Sequence, residues 1–491
     1  MNPTKIRLTG ALLLALVSIN TPAGIVDTGQ TACYNDRNEI NCPRPGAPFS
    51  GQDAQYAGQA AAYRDNGDGT VTDLNSGLMW SKSVGPRKLG LDEAEAEARK
   101  MTLGGHHDWR VPSIKELYTL MDFRGRTGDP RNTNRDGVSR DAIPYIDTDY
   151  FDFEYGNTKS GERFIDAQWL SRTKYVGTTM DRMETLFGVN FADGRIKGYG
   201  YRRLGTQHDV KKFDVRYVRG DAYGENEFAD NGDGTVSDRS SGMTWTQDDS
   251  GRGMNWQQAL GYCEGLTTAG HSDWRLPNAK ELQYIVDYSR SPDTTRSAAI
   301  DPLFHSSGIT NEAGQPDYPF YWTSTTHDDG PRGGASAVYI AFGRALGQMQ
   351  GRTLDVHGAG AQRSDPKTGR AYLGHGPQGD AVRVNNYVRC VRGGGVVVAA
   401  APHAVTDPNR YPNNVARLRV SGKATGGAEA LGGRRPGYGP GDSGMGGGPG
   451  GGQGGMSGPG GGEKGFIDRL DRDGDGRVSR SEFDGPPDRF D

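Results

Sequence analysis

Four cysteines, nine histidines and no surplus of basic charge leave this chain little material for several kinds of chemistry, and each shortage excludes something. A formal net charge of -4 gives no global attraction to a phosphate backbone, so nucleic acid is not an expected partner. His106 and His107 have no companions at metal-ligand spacing, and neither a Ser-His-Asp arrangement nor an HExxH motif stands out. Long apolar runs are missing too. The run from Leu8 to Ile19 falls short of the roughly 20 residues a bilayer span needs, and Val396 to Ala401 is shorter still. With Lys5 and Arg7 before it and Thr21-Pro22-Ala23 after it, the first run has the layout of a secretory signal peptide over residues 1–23. No Leu-x-x-Cys box follows, since Cys33 comes after Gln-Thr-Ala, so a lipid anchor is not expected. The expectation is an exported protein without a transmembrane segment, in the periplasm, at the cell surface or secreted.

Glycine, by contrast, is abundant, with 76 residues, and it concentrates near the C-terminus. Gly432 to Gly462 is more than half glycine and cannot bury enough side chain to offset the entropy of ordering. Residues 432–465 therefore read as a disordered, flexible tether.

An internal repeat sets the domain map. YRDNGDGTVTDLNSGLMW from Tyr63 to Trp80 returns as FADNGDGTVSDRSSGMTW from Phe228 to Trp245, and HDWRVPSIKEL from His107 returns as SDWRLPNAKEL from Ser272. Both pairs lie 165 residues apart. Farther on, Trp169 in WLSRT answers Trp322 in WTSTT and VRYVRG answers VRCVRG, with loops of different length between. The map becomes an N-terminal segment 24–62, one domain at 63–220, a second at 228–394, an extended linker 395–431, the tether, and a tail at 466–491.

In each copy, apolar residues at helical spacing (Leu91, Ala94, Ala98 and Met101; Trp256, Ala259, Leu260, Cys263 and Leu266) predict a first helix. A second helix is predicted behind Pro112 and Pro277, with Ser113 or Asn278 as cap and Glu116 or Glu281 reaching back. The remainder reads as turns and short strands, so the class is α+β.

Four cysteines in an exported chain suggest two disulfides among three pairings. Copy one carries Ala98 and Tyr217 where copy two has Cys263 and Cys390, so both half-cystines are missing together. That paired loss predicts Cys263–Cys390 and Cys33–Cys42, and it suggests that Cys263→Ala would unsettle copy two while copy one stays folded.

DNGDGTVTD, Trp-x-x-Ala, DWRLPxxKEL, FYWTST and YVRCVRGG together resemble the C-terminal domain family of the Legionella collagen-like adhesin, in both copies, over roughly residues 62–394. Trp256-x-x-Ala259-x-x-x-Cys263, bonded to a cysteine of the last strand, is also similar to the frame of C-type lectin-like domains. The resemblance implies surface adhesion, with an extracellular glycan or matrix polymer as partner. The glycine tract lacks a Gly-X-Y period, so collagen-like trimerisation is not implied.

The strongest chemical motif is in the tail. DRDGDGRVSRSE, from Asp471 to Glu482, fits an EF-hand loop position by position. Asp471, Asp473 and Asp475 supply carboxylates, Arg477 its carbonyl, Ser479 a direct or water-mediated ligand, and Glu482 a bidentate carboxylate; Gly476 makes the turn. Ca2+ is the expected cofactor. Pro486 and Pro487 cut the exit helix short, so a single hand of weak affinity, or one that pairs with another molecule, is expected.

Lesser signals have plainer readings. DNGDGTV lacks the spacing of calcium ligands and reads as an Asp-Gly turn. Gln315-Pro316-Asp317 matches a sugar-binding triplet in letters but precedes its strand, and an ordinary proline turn is the default. Asp108-Trp109-Arg110 and Asp273-Trp274-Arg275 read as a salt bridge beside a buried Trp. Tyr145, Tyr150, Phe151, Phe153 and Tyr155 could stack on sugars or fill a core. Arg202, Arg203, Lys211 and Lys212, with Arg216 and Arg219, offer a patch for an anionic polymer. The leading function is thus a calcium-binding, adhesin-like surface protein and not an enzyme. The alternatives are a calcium-dependent assembly factor or a formylglycine-generating-like enzyme, the latter disfavoured because all four cysteines are assigned to disulfides.

Overall fold

The computed structural model describes residues 24–330, 333–399 and 419–420. The signal segment, most of the linker, the tether and the whole EF-hand motif lie outside the described residues, so the tail is not placed.

Each copy opens with the DNGDGT turn. Gly67 and Gly69 have φ near +78° and +87°, the left-handed region that glycine tolerates, and Asp65 and Asp68 accept backbone N–H groups two residues ahead. The turn folds Tyr63–Asp65 onto Thr70–Asp73, which pairs in turn with Met79–Ser81 and closes on Val218–Arg219, the last strand of the copy. Copy two repeats the order with Phe228–Asp230, Thr235–Asp238, Met243–Thr246 and Val391–Gly393. The first and last strands of each copy form the two edges of one four-stranded sheet, the last pairing with Met79–Ser81 or Met243–Thr246, so both ends of a repeat are held in the same sheet.

The helices are short. α1 spans Leu91–Ala98 and α3 spans Trp256–Glu264, so Met101 and Leu266 fall beyond the helix ends that their spacing had suggested. α2, Ile114–Tyr118, and α4, Ala279–Tyr284, start where expected. Ser113 and Asn278 accept the N–H of Glu116 and Glu281, whose carboxylates accept the cap N–H at 2.8 Å in return. The balance is α+β weighted towards strand.

The largest sheet belongs to both copies. Its six antiparallel strands run in the order Phe320–His327, Ser336–Ala341, Gln362–Pro366, Arg195–Arg203, Met183–Asn190, Gln168–Thr179. Three come from each copy, and they meet where Ile196 pairs with Gln362. Gly198 shows how close the approach is: its N–H donates to the His357 carbonyl at 2.9 Å, and a Cβ there would stand 2.2 Å from the same oxygen. Only glycine fits.

The N-terminal segment is tied to copy two by paired hydrogen bonds between Gln30 and Thr326 and to copy one by the Phe123 N–H on the Thr28 carbonyl. Both expected disulfides are present. Cys33–Cys42 closes a small hairpin, and Cys263–Cys390 ties α3 to the residue before the last strand. Ala98 and Tyr217 occupy the matching places in copy one and are buried in one apolar cluster, so packing stands where copy two has a bond.

Candidate functional site

The basic stretch does not form one surface. Arg202 gives its guanidinium to Asp209 at 2.8 Å and to Asp92 at 2.7 Å, while Lys212 pairs with Glu93 at 2.9 Å. Arg216 is fully buried, donating to the carbonyls of Ser81, Lys82 and Asp152 with its plane over Phe151 and Trp169. Arg219 pairs with Asp108. Arg203 stays exposed. Lys211 differs from all of these. Its ammonium lies 5.1 Å from the Tyr199 ring centre and 5.7 Å from that of Phe213, and it makes no hydrogen bond or ion pair among the described residues.

Lys211 opens into a cavity of about 350 Å³ at the junction of the copies. Along Arg195–Arg203 the period of two puts Arg195, Lys197 and Tyr199 on the face that lines it. Copy two contributes Asp329, His357, Arg363 and His375. Lys211 and Lys212 are thus the two residues of the sequence-derived patch that reach this cavity, and Arg202 and Arg203 do not line it.

The charges in the wall are unevenly matched. Glu162 is held by Lys88, Asp166 by Arg163, Asp193 by both Lys197 and Arg195, and Asp329 by Arg195 as well. Arg363 leans on Asp380, which also faces His357. Lys211 is therefore a cation in excess. Burial pushes the ammonium groups of Lys197 and Lys211 down to about 8, against the pull of Asp193 on the first and Asp166 on the second. Burial opposes ionisation of Asp193, yet Lys197 and Arg195 hold it down at about 2. His357 is pushed down to about 4 by burial and by Arg363, so it is neutral near pH 7.

One more wall group lacks a partner: the buried Tyr199 hydroxyl has no hydrogen bond. Sequence reading missed Tyr199, Lys197 and Arg363, because their convergence depends on the pairing of Ile196 with Gln362. The alternation of basic and apolar residues after Arg195 was the available signal.

The weaker motifs are placed in structural roles. Asp317 is buried and accepts from Asn311, Tyr318 N–H and Arg344 N–H. The carboxylates of the DNGDGT turns accept from their own backbones, Asp65 pairing with Lys82 as well, and no cluster of metal-ligating side chains occurs among the described residues. Tyr145, Phe151, Phe153 and Tyr155 are core residues. Arg110 and Arg275 pair with Glu116 and Glu281, whereas Asp108 and Asp273 reach Arg219 and Arg392 of the closing strands. The Asp-Trp-Arg motif thus serves two bridges and not one.

A profile of the family described as Lcl C-terminal domain matches residues 69–219 and 234–357, one match in each copy and together more than half of the chain. No curated protein and no solved structure matches the chain significantly. No helix among the described residues is long and apolar enough to cross a membrane.

Proposed function

Because the chain belongs to the Lcl C-terminal domain family, we propose that it is an exported, adhesin-like protein that binds an acidic extracellular glycan or matrix polymer through its two fused copies. The family match in both copies carries this reading. It is supported by the two disulfides, which belong to oxidising compartments, and by the unmatched Lys211 in the cavity between the copies. A lectin-like frame is part of the proposal, resting on the Cys263–Cys390 bond between the first helix and the end of the chain's second copy. Binding rather than catalysis is proposed, since a formylglycine-type reaction needs a reactive thiol and all four cysteines are bonded. The tail adds a calcium site through Asp471, Asp473, Asp475, Arg477, Ser479 and Glu482.

The test is retention of the mature chain on immobilised acidic and neutral polysaccharides across a salt gradient, with calcium and with chelator. Salt-sensitive retention on the acidic polymer alone is expected, and a Glu482→Ala variant should lose the tail's calcium heat in calorimetry. Equal elution from both columns would refute the polymer reading. An unchanged calcium heat in Glu482→Ala would refute the hand.

A further inference from the structure

A polymer lying on a surface would not require a cavity, and the junction between the copies has one with room for a single sugar unit, about 350 Å³. We propose that this cavity is a subsite for the oxyanion of one small acidic unit, the carboxylate of a uronic acid or the phosphate of a sugar phosphate, held by Lys211 and Lys197 with Tyr199 as hydroxyl donor. The proposal rests on the glycan-binding reading and gives it a chemical class and an end-on geometry.

Several observations point the same way. The ammonium of Lys211 has no carboxylate of its own, although every acid in the wall is already engaged by another cation. Tyr199 is 8% exposed and its hydroxyl has no partner, an arrangement that costs stability unless a ligand or water completes it. Tyr199 lines the cavity beside Asp193, Arg363, Asp166 and Arg163. Ile165, Val356 and Met349 give the wall apolar patches for the body of a sugar ring. Both lysines titrate near 8, so an entering anion would draw protons onto them.

The site exists only where two copies share a sheet. Arg195, Lys197 and Tyr199 come from copy one, and His357 and Arg363 from copy two. It is therefore a product of the tandem arrangement.

Calorimetry of the mature full-length protein at about pH 8 tests this, with glucuronate, glucose 6-phosphate and glucose as probes in two buffers of different ionisation enthalpy. Either anion or both should bind with proton uptake while glucose does not, and the tighter one names the source of the oxyanion. Lys211→Met should weaken binding about tenfold or more, since a charge-assisted bond is lost. The same variant should melt no lower than the parent, because it removes a buried ammonium that has no carboxylate partner while the methionine keeps contact with the Tyr199 and Phe213 rings. Tyr199→Phe should weaken binding several-fold with the fold intact. Absence of heat with both anions, equal binding of glucose, or undiminished binding in folded Lys211→Met would overturn the subsite. Retention on an acidic polymer without small-anion binding would reject the cavity alone. Loss of both would reject the glycan reading with it.

Discussion

Glu281 does two jobs at once. It accepts the Asn278 N–H at the start of α4 and both guanidinium nitrogens of Arg275 at 2.6 and 2.7 Å. Glu116 repeats the pattern with Ser113 and Arg110. The copies differ in how dry the pair is: the Arg275 side chain is 5% exposed and that of Arg110 is 25% exposed. Removing one member of a buried pair strands the other charge, at a cost of about 3–5 kcal/mol. Urea melts of Glu281→Ala should show a loss of that order, and Glu116→Ala a clearly smaller one, since water can reach Arg110. Equal losses would mean the cap, not the stranded arginine, sets the cost. The cap itself was readable from Ser or Asn followed three residues later by Glu. The arginine partner was not, because it lies across a loop, and neither were the Asp108–Arg219 and Asp273–Arg392 pairs, whose members are over a hundred residues apart.

At the level of elements, the N-terminal segment brings a carboxyl into the interior. Asp53, in the short 3-10 turn Asp53–Gln55, is buried and accepts from the hydroxyls of Thr28 and Thr325. Burial first, and Asp27 second, push it up to about 8 from 3.8, with Glu281 adding and the two threonines subtracting. A carboxyl raised on folding stabilises fully below its unfolded value, and that stability is lost as pH rises through the folded value. The docking of this segment should therefore weaken between about pH 4 and pH 8. Asp355 and Asp365, each raised to about 7 chiefly by burial, act in the same direction. The melting temperature should fall from about pH 6 to pH 8, below the range in which the depressed buried lysines act the other way, and Asp53→Asn should flatten that slope by removing the group that must ionise. Parallel slopes for parent and variant would clear Asp53 of the effect. Nothing in the letters around Asp53 marked it, because its environment is made by Thr325 of the other end of the fold.

The whole molecule differs most from what a repeat suggests. Two similar segments some 165 residues apart read as beads on a string, and hydrophobic spacing within each segment cannot show whether their sheets join. The turns, caps and disulfides are encoded locally or by alignment of the copies, so they were legible. The six-stranded sheet depends on two edge strands finding each other, and edge pairing leaves no periodic mark. Its consequence is mechanical. Strand Arg195–Arg203 of copy one cannot leave strand Gln362–Pro366 without opening an interior edge, and Lys280 of α4 donates to the Thr119 carbonyl of copy one and the Asp27 carbonyl of the N-terminal segment. The expectation that Cys263→Ala would loosen copy two and spare copy one therefore gives way to a different one. The bond spans a sequence separation of 127 residues, and losing such a disulfide typically costs about 2–5 kcal/mol. Because both copies share one sheet, that loss should lower a single transition seen alike by calorimetry and tryptophan fluorescence, with Trp80 and Trp169 of copy one and Trp245 and Trp322 of copy two losing burial together. Two separated transitions, with only copy two shifted, would show that the junction yields before either copy does, and the cavity at that junction would then open well below the temperature at which the copies unfold.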